Sequence, residues 1–145
     1  MFGRVEIVSL SSNLAEPSSV DAIVTFRNLH NWLGPQMDTI FRNSFIALKP
    51  CGHFGVVEHR AKPGTDLEKM KSSGYVTEAH AIEVALKQGF ELVAKSEINA
   101  NPKDTKDHPK GVWTLPPRLR LDDVNRDKYE SIGESDRMTL LFRKP

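Results

Sequence analysis

A chain of 145 residues has room for one domain that buries about 70% of its unfolded surface. Apolar residues make up 39% and charged residues 27%, an ordinary globular balance, and a formal net charge of +1 gives no electrostatic case for nucleic acid or a membrane surface as partner. No apolar run reaches the roughly 20 residues of a membrane span, and MFGRVEIVSLSSN reads as a poor secretory leader, with a glutamate inside its short apolar run.

Residues 5–10 (VEIVSL), short and β-branched, predict a first strand, followed by a loop of Ser, Asn and Pro over 11–19. Val20–Phe26 (VDAIVTF) predicts a second strand, whose apolar run after Asp21 implies burial on both faces, as in a parallel sheet. Gly34-Pro35 then breaks the chain, with Pro35 suited to the first turn of a helix. Over 36–49, Met37, Ile40, Phe41, Phe45 and Leu48 fall at helical spacing, and Lys49-Pro50-Cys51-Gly52 ends that helix. Residues 53–59 (HFGVVEH) return as a strand, so strand, helix and strand form a βαβ unit with parallel strands and a right-handed crossover.

A connector over 61–75 has some helical character around 66–71. Thr77 is placed to cap a helix over 78–88, Gly89 to close it in the left-handed conformation, and Ala79, Ile82, Ala85 and Leu86 to form its buried stripe. A strand over 91–98 (ELVAKSEI) comes next. Residues 99–135 carry Pro102, Pro109, Pro116 and Pro117 with little periodicity, a long irregular connection of the kind that is functional or disordered. In 137–144 (RMTLLFRK), Met138, Leu140 and Phe142 alternate with polar positions, and this strand closes the sheet. No repeat or linker divides the chain, so one domain over 1–145 is expected. Cys51, the only cysteine, cannot form an intrachain disulfide and sits in a turn, which points to a structural residue and a reducing, cytoplasmic setting.

Open α/β sheets bind ligands at the carboxyl ends of their strands. Arg27, Asn28, His30 and Asn31 lie past one such end and Glu58, His59 and Arg60 past the next. The plainer reading has Asn28 and Asn31 capping the following helix, His30 packed beneath it, Trp32 in the core, and Glu58 and Arg60 paired with loop charges. No metal site is expected: His53, Glu58 and His59 share a strand, but the two histidines would lie about 20 Å apart at ~3.3 Å per residue. In the long connection, Asn99, Asn101, Lys103, Trp113 and Arg118 are candidates to meet an anionic or aromatic group, and Tyr75 joins them; a solvent-exposed excursion fits the same composition.

The phrases DAIVTFRNLHNW, ALKPCGHFGVVEHRA, SGYVTEAHAIEVALKQGFELVAKSEINANPKDTKDHPKGVWTLPPRLR and ESDRMTLLFRKP cover nearly everything from Val20 onward. In them the chain resembles the C-terminal two-thirds of class I S-adenosylmethionine-dependent methyltransferases, in particular a group of predicted bacterial ones. The resemblance implies a partial Rossmann-like α/β sheet holding the family's third to seventh strands, mostly parallel with an antiparallel last strand. Residues 5–10 would be the third strand, Val20–Phe26 the fourth, 53–59 the fifth, 91–98 the sixth and 137–144 the seventh. It also implies S-adenosylmethionine as cofactor, with Arg27, Asn28, His30 and Asn31 beside it. Acid–base candidates are then His30, Glu58 and His59, with Arg60, Tyr75, Asn99, Asn101, Lys103, Trp113 and Arg118 on the substrate side.

Two departures follow. None of the nine glycines stands in a Gly-x-Gly pair, so the family's cofactor loop is absent, and Ser9-Leu10-Ser11-Ser12-Asn13 lacks the acidic residue many relatives carry near the adenine. Two readings of function result: a methyltransferase whose cofactor lobe comes from elsewhere, or a non-catalytic module that binds or oligomerises. With the family's first and second strands absent, Val20–Phe26 keeps an open apolar edge, which predicts pairing with residues 5–10 of the same chain or homodimerisation across the gap.

Overall fold

In the computed structural model, residues 5–10 and 12–145 are described. Four strands form one sheet: β1 (Val20–Phe26), β2 (Leu48–His59), β3 (Glu91–Ser96) and β4 (Arg137–Arg143), in the order β1-β2-β4-β3. β1 and β2 are parallel, while β4 runs antiparallel to both of its neighbours. Three strands therefore point one way and the last points back, as expected for the fourth to seventh strands of the methyltransferase sheet.

The crossover from β1 to β2 holds a short helix, α1 (Leu29–Trp32), and a longer one, α2 (Pro35–Ala47). Gly34 turns the chain into α2 at φ +100°, a value disfavoured for any side chain, and Pro35 opens the first turn. After β2 come α3 (Leu67–Ser73), capped by Asp66 accepting from Lys69 N–H at 2.8 Å, and α4 (Glu78–Lys87), capped by Thr77 accepting from His80 N–H at 3.2 Å. β2 begins five residues earlier than its apolar pattern suggests. Val20 pairs with Leu48 but Ala22 with His53, so 49–52 bulge outward, Cys51 taking φ 63° at an exposed position.

Alternation along each strand assigns the faces. Ile23 and Thr25, Phe54, Val56 and Glu58, and Met138, Leu140 and Phe142 lie on the helix-covered face, where Met37, Ile40, Phe41, Ala81, Val84 and Ala85 meet them. Phe54 centres this core, its ring 5.0 Å from Phe41, 5.5 Å from Phe90 and 6.3 Å from Phe142. The opposite face carries Val24, 62% exposed, Phe26, 58% exposed, and the exposed Val93 and Leu141.

Four expectations are corrected. Residues 5–10 form no strand; Val5 is 88% and Ile7 94% exposed, because β-branched sequence makes a strand only where a neighbour supplies hydrogen bonds and cover. Pairing of this segment with β1 is likewise absent, and β1 is covered on one face rather than two. The stripe of α4 is rotated: Ala79 and Leu86 face outward, while Ala81, Val84 and Ala85 are buried. In addition, the long connection is not wholly irregular. It holds a 3-10 turn at Gly111–Thr114 and a helix, α5 (Arg126–Ile132), which buries only Tyr129 and so has almost no periodic signature.

Candidate functional site

Arg27 follows β1 in the left-handed conformation (φ 56°) and its N–H bonds Val57 O at 2.7 Å, which turns the chain sharply over the sheet end. That turn delivers His30, in α1, to Glu58 near the end of β2. Glu58 is fully buried, and its carboxylate accepts from His59 N–H at 2.7 Å and His30 N–H at 3.3 Å, and meets His30 Nδ1 at 3.1 Å. An ionised Glu58 would only accept, which would place the proton on His30 Nδ1 and leave Nε2 as the acceptor. This is the carboxylate–imidazole arrangement that orients a general base.

His59 lies beside it, its ring 5.4 Å from that of His30, with Nδ1 2.5 Å from Ser135 Oγ. Burial pulls His59 down to about 4; Glu58 opposes this, and His30, Arg27 and Arg137 add to it. At neutral pH His59 is an uncharged imidazole. Its folded value lies below that of the unfolded chain, so protonation favours unfolding: its contribution is complete above pH 6.5 and erodes as pH falls toward 4. Between those values the wild type should lose about 2–3 kcal/mol more stability than a His59→Gln variant, read by urea denaturation at each pH. Parallel curves would show that His59 carries no such linkage.

These groups open onto a cavity of about 510 Å³ whose wall is made by Trp113, Leu115 and the cis-linked Pro116-Pro117, with Arg27, Arg118, Arg120 and Arg137 around it. Trp113 contacts His30 edge-on at 6.0 Å, and Arg120 stacks on the Trp113 ring at 4.7 Å. Of the residues expected at a site, the cavity brings together Arg27, His30, Asn31, His59, Trp113 and Arg118, with Glu58 directly behind. Asn28 occupies the N-cap position of α1 without a side-chain cap bond and lines a different cavity. Trp32 is in the core.

The remaining candidates hold the long connection in place. Arg60 forms a bidentate pair with Asp136 at 2.9 and 3.0 Å and also binds Glu97 and Glu78. Tyr75 is buried and donates to Asp104 at 3.0 Å. Asn99 donates to Thr139 Oγ1, Asn101 to the carbonyls of Ile132 and Glu134, and Lys103 to that of Ser131. Sequence reasoning missed Arg120, Glu134, Ser135 and Arg137; the RLR after the two prolines was the visible signal for Arg120 alone.

His30, Glu58 and His59 also form a group whose ligand atoms lie within 4.8 Å of one another, a geometry that can hold a cation. His53, which shares the strand with Glu58 and His59, lies at the other end of the ladder opposite Arg143 and takes no part in this group. Arg27 and Arg137 press positive potential on this spot, which works against a metal ion.

No protein-family model and no curated protein matches the chain. Solved structures do. The [4+2]-cyclase SpnF is similar with a TM-score of 0.66 and 17% identity over 97% of this chain and 56% of that one. S-adenosylmethionine-dependent methyltransferases from Methanosarcina mazei (TM-score 0.61, 13% identity, 96% of this chain, 66% of that one) and Mesorhizobium loti (0.53, 16%, 96% and 68%) are similar as well. The chain therefore has the fold of part of a class I methyltransferase, an α/β Rossmann-like sheet, and spans between 56% and 68% of the length of these three neighbours. Among the described residues no helix is long and apolar enough to cross a membrane.

S-adenosylmethionine is the cofactor that this fold implies. The sequence holds no Gly-x-Gly turn, and the one carboxylate lining the cavity among the described residues, Glu134, is spent on Arg137 at 2.7 Å. The described residues do not fit a whole cofactor site.

Proposed function

We propose that this chain supplies the acceptor side of a methyltransferase, with His30, held by Glu58, as the base that takes the acceptor's proton and His59 as its neutral neighbour. Methyl transfer asks a protein mainly to align the nucleophile and, where needed, to deprotonate it. The observation that carries this reading is the convergence of two imidazoles and a buried carboxylate at adjacent strand ends of a methyltransferase-type sheet. Arg27, Asn28 and Asn31 face the cofactor in this reading, and Trp113 and Arg118 the acceptor. Most of the cofactor's cradle would come from a Gly-x-Gly-bearing lobe outside residues 1–145.

The bare sheet face favours a second reading. Val24 and Phe26, 62% and 58% exposed on a strand paired on one side only, invite a homodimer through the β1 edge, and the chain would then be a non-catalytic module. Calorimetric titration with S-adenosylhomocysteine, run beside sedimentation, separates the two. The first reading expects saturable binding with a Kd of about 1 mM, about 4 kcal/mol, weakened by Asn31→Ala. No heat at millimolar ligand, together with a stable dimer that Phe26→Lys dissociates, would replace it with the second.

A further inference from the structure

The cavity beside His30 has an unusual charge. Four guanidiniums, those of Arg27, Arg118, Arg120 and Arg137, line it against one carboxylate, Glu134, in a chain whose formal net charge is +1. Glu134 is already paired with Arg137. Arg120 lies on the face of Trp113. Among the described residues Arg27 and Arg118 have no carboxylate partner and no side-chain hydrogen bond, and the buried Nε of Arg137 has no acceptor. Of the arginines elsewhere, Arg60 pairs with three carboxylates, Arg126 with Glu130 and Arg143 with Glu91, while Arg42 stands exposed on α2. Concentrating unspent guanidiniums in one concave site costs mutual repulsion, which an anion relieves.

We propose that the cavity binds an anionic small molecule, a carboxylate or phosphate ester with a flat unsaturated body, and that this is the class of acceptor. Guanidinium forks match both oxyanions bidentately. Trp113 and the Pro116-Pro117 wall give the apolar surface for a planar body, and a volume of about 510 Å³ holds a molecule of one or two rings. The acceptor role rests on the methyltransferase reading; the anion site does not, since it is defined by Arg27, Arg118, Arg120 and Arg137 alone.

The test uses the chain as it is, with benzoate, phenyl phosphate and the neutral amide benzamide as probes, followed by Trp113 fluorescence and by ¹⁵N shifts of the arginine side chains. Both anions should bind at least tenfold more tightly than benzamide. The double variant Arg27→Glu/Arg118→Glu should lose at least tenfold, whereas Arg42→Glu, an exposed charge change on α2, should lose less than twofold. Benzamide binding as well as benzoate, or equal losses in the two variants, would overturn the proposal. Competition of phenyl phosphate by a single-stranded oligonucleotide at lower concentration would overturn it too, in favour of a nucleic-acid groove. Absence of methyl transfer would leave the anion result standing and count only against the acceptor role.

Discussion

Replacing Asp104 by alanine should destabilise the protein by about 3–5 kcal/mol, the range expected when one partner of a buried charged network is removed. Asp104 is buried and gathers donors from four places: Tyr75 Oη at 3.0 Å, His108 Nε2 at 2.8 Å, Lys106 N–H at 2.9 Å and Asp136 N–H at 2.8 Å. Its carboxylate holds Tyr75 above the usual phenol range, after burial as the larger cause. Alanine would leave these donors facing a void, each worth about 1–3 kcal/mol if unsatisfied but sharing a partly relaxed site. Urea denaturation should show a midpoint lowered by about 2 M at an ordinary slope. Asp104→Asn, which keeps the shape, should lose about half as much. A shift below 1 kcal/mol for alanine would mean that the network is solvated and holds nothing. Because Asp104 joins Tyr75 to the segment just before β4, its loss should also free the Trp113 wall, and benzoate affinity should fall with stability.

Glu58→Gln is the second large effect and the one closest to chemistry. The amide keeps the size of the side chain but removes the charge that accepts from His30 and His59. A stability loss of about 2–3 kcal/mol is expected from weakening bonds to an ionised acceptor. In any assembly that transfers methyl groups through this site, the rate should fall about 10²–10⁴-fold if His30 is the base, the usual worth of a positioned proton acceptor. A merely structural Glu58 would move stability alone. The distinguishing readout is the His30 ring: ¹⁵N shifts should report the Nδ1–H tautomer in wild type and a mixture in Glu58→Gln. An unchanged tautomer with an unchanged rate would remove Glu58 from the positioning role.

Particular residues show what the sequence made visible. α2 was legible because Met37, Ile40 and Phe41 repeat at helical spacing, and β4 because Met138, Leu140 and Phe142 alternate. Residues 5–10 carry the same β-branched signal and make no strand, because the signal describes a surface that fits a sheet and not the neighbour that completes one. In α4 the stripe Ala79, Ile82, Ala85 and Leu86 was expected, and docking on the sheet buries Ala81, Val84 and Ala85 instead, a rotation that so apolar a helix does not encode locally. At the site, Arg27 and His30 were visible as polar residues past a strand end. Glu134, Ser135 and Arg137 were not, since they reach the cavity through the clamp of Arg60 and Asp104 on the segment around Asp136, a contact that no local spacing encodes. The pairing of Glu58 with His30 was hidden for the same reason: it joins residues 28 apart, one on α1 and one on β2.

The strand order has a consequence in time. β4 is the last of the four strands in sequence, yet it lies inside the sheet, between β2 and β3. As a nascent chain leaves the ribosome, β1 and β2 can pair as soon as both have emerged, but β3 waits without a hydrogen-bonding neighbour until β4 follows it. The cavity waits as well, because Arg137 is the first residue of β4 and Ser135 stands just before it. The arginine-lined site is thus completed only when β4 slides between β2 and β3.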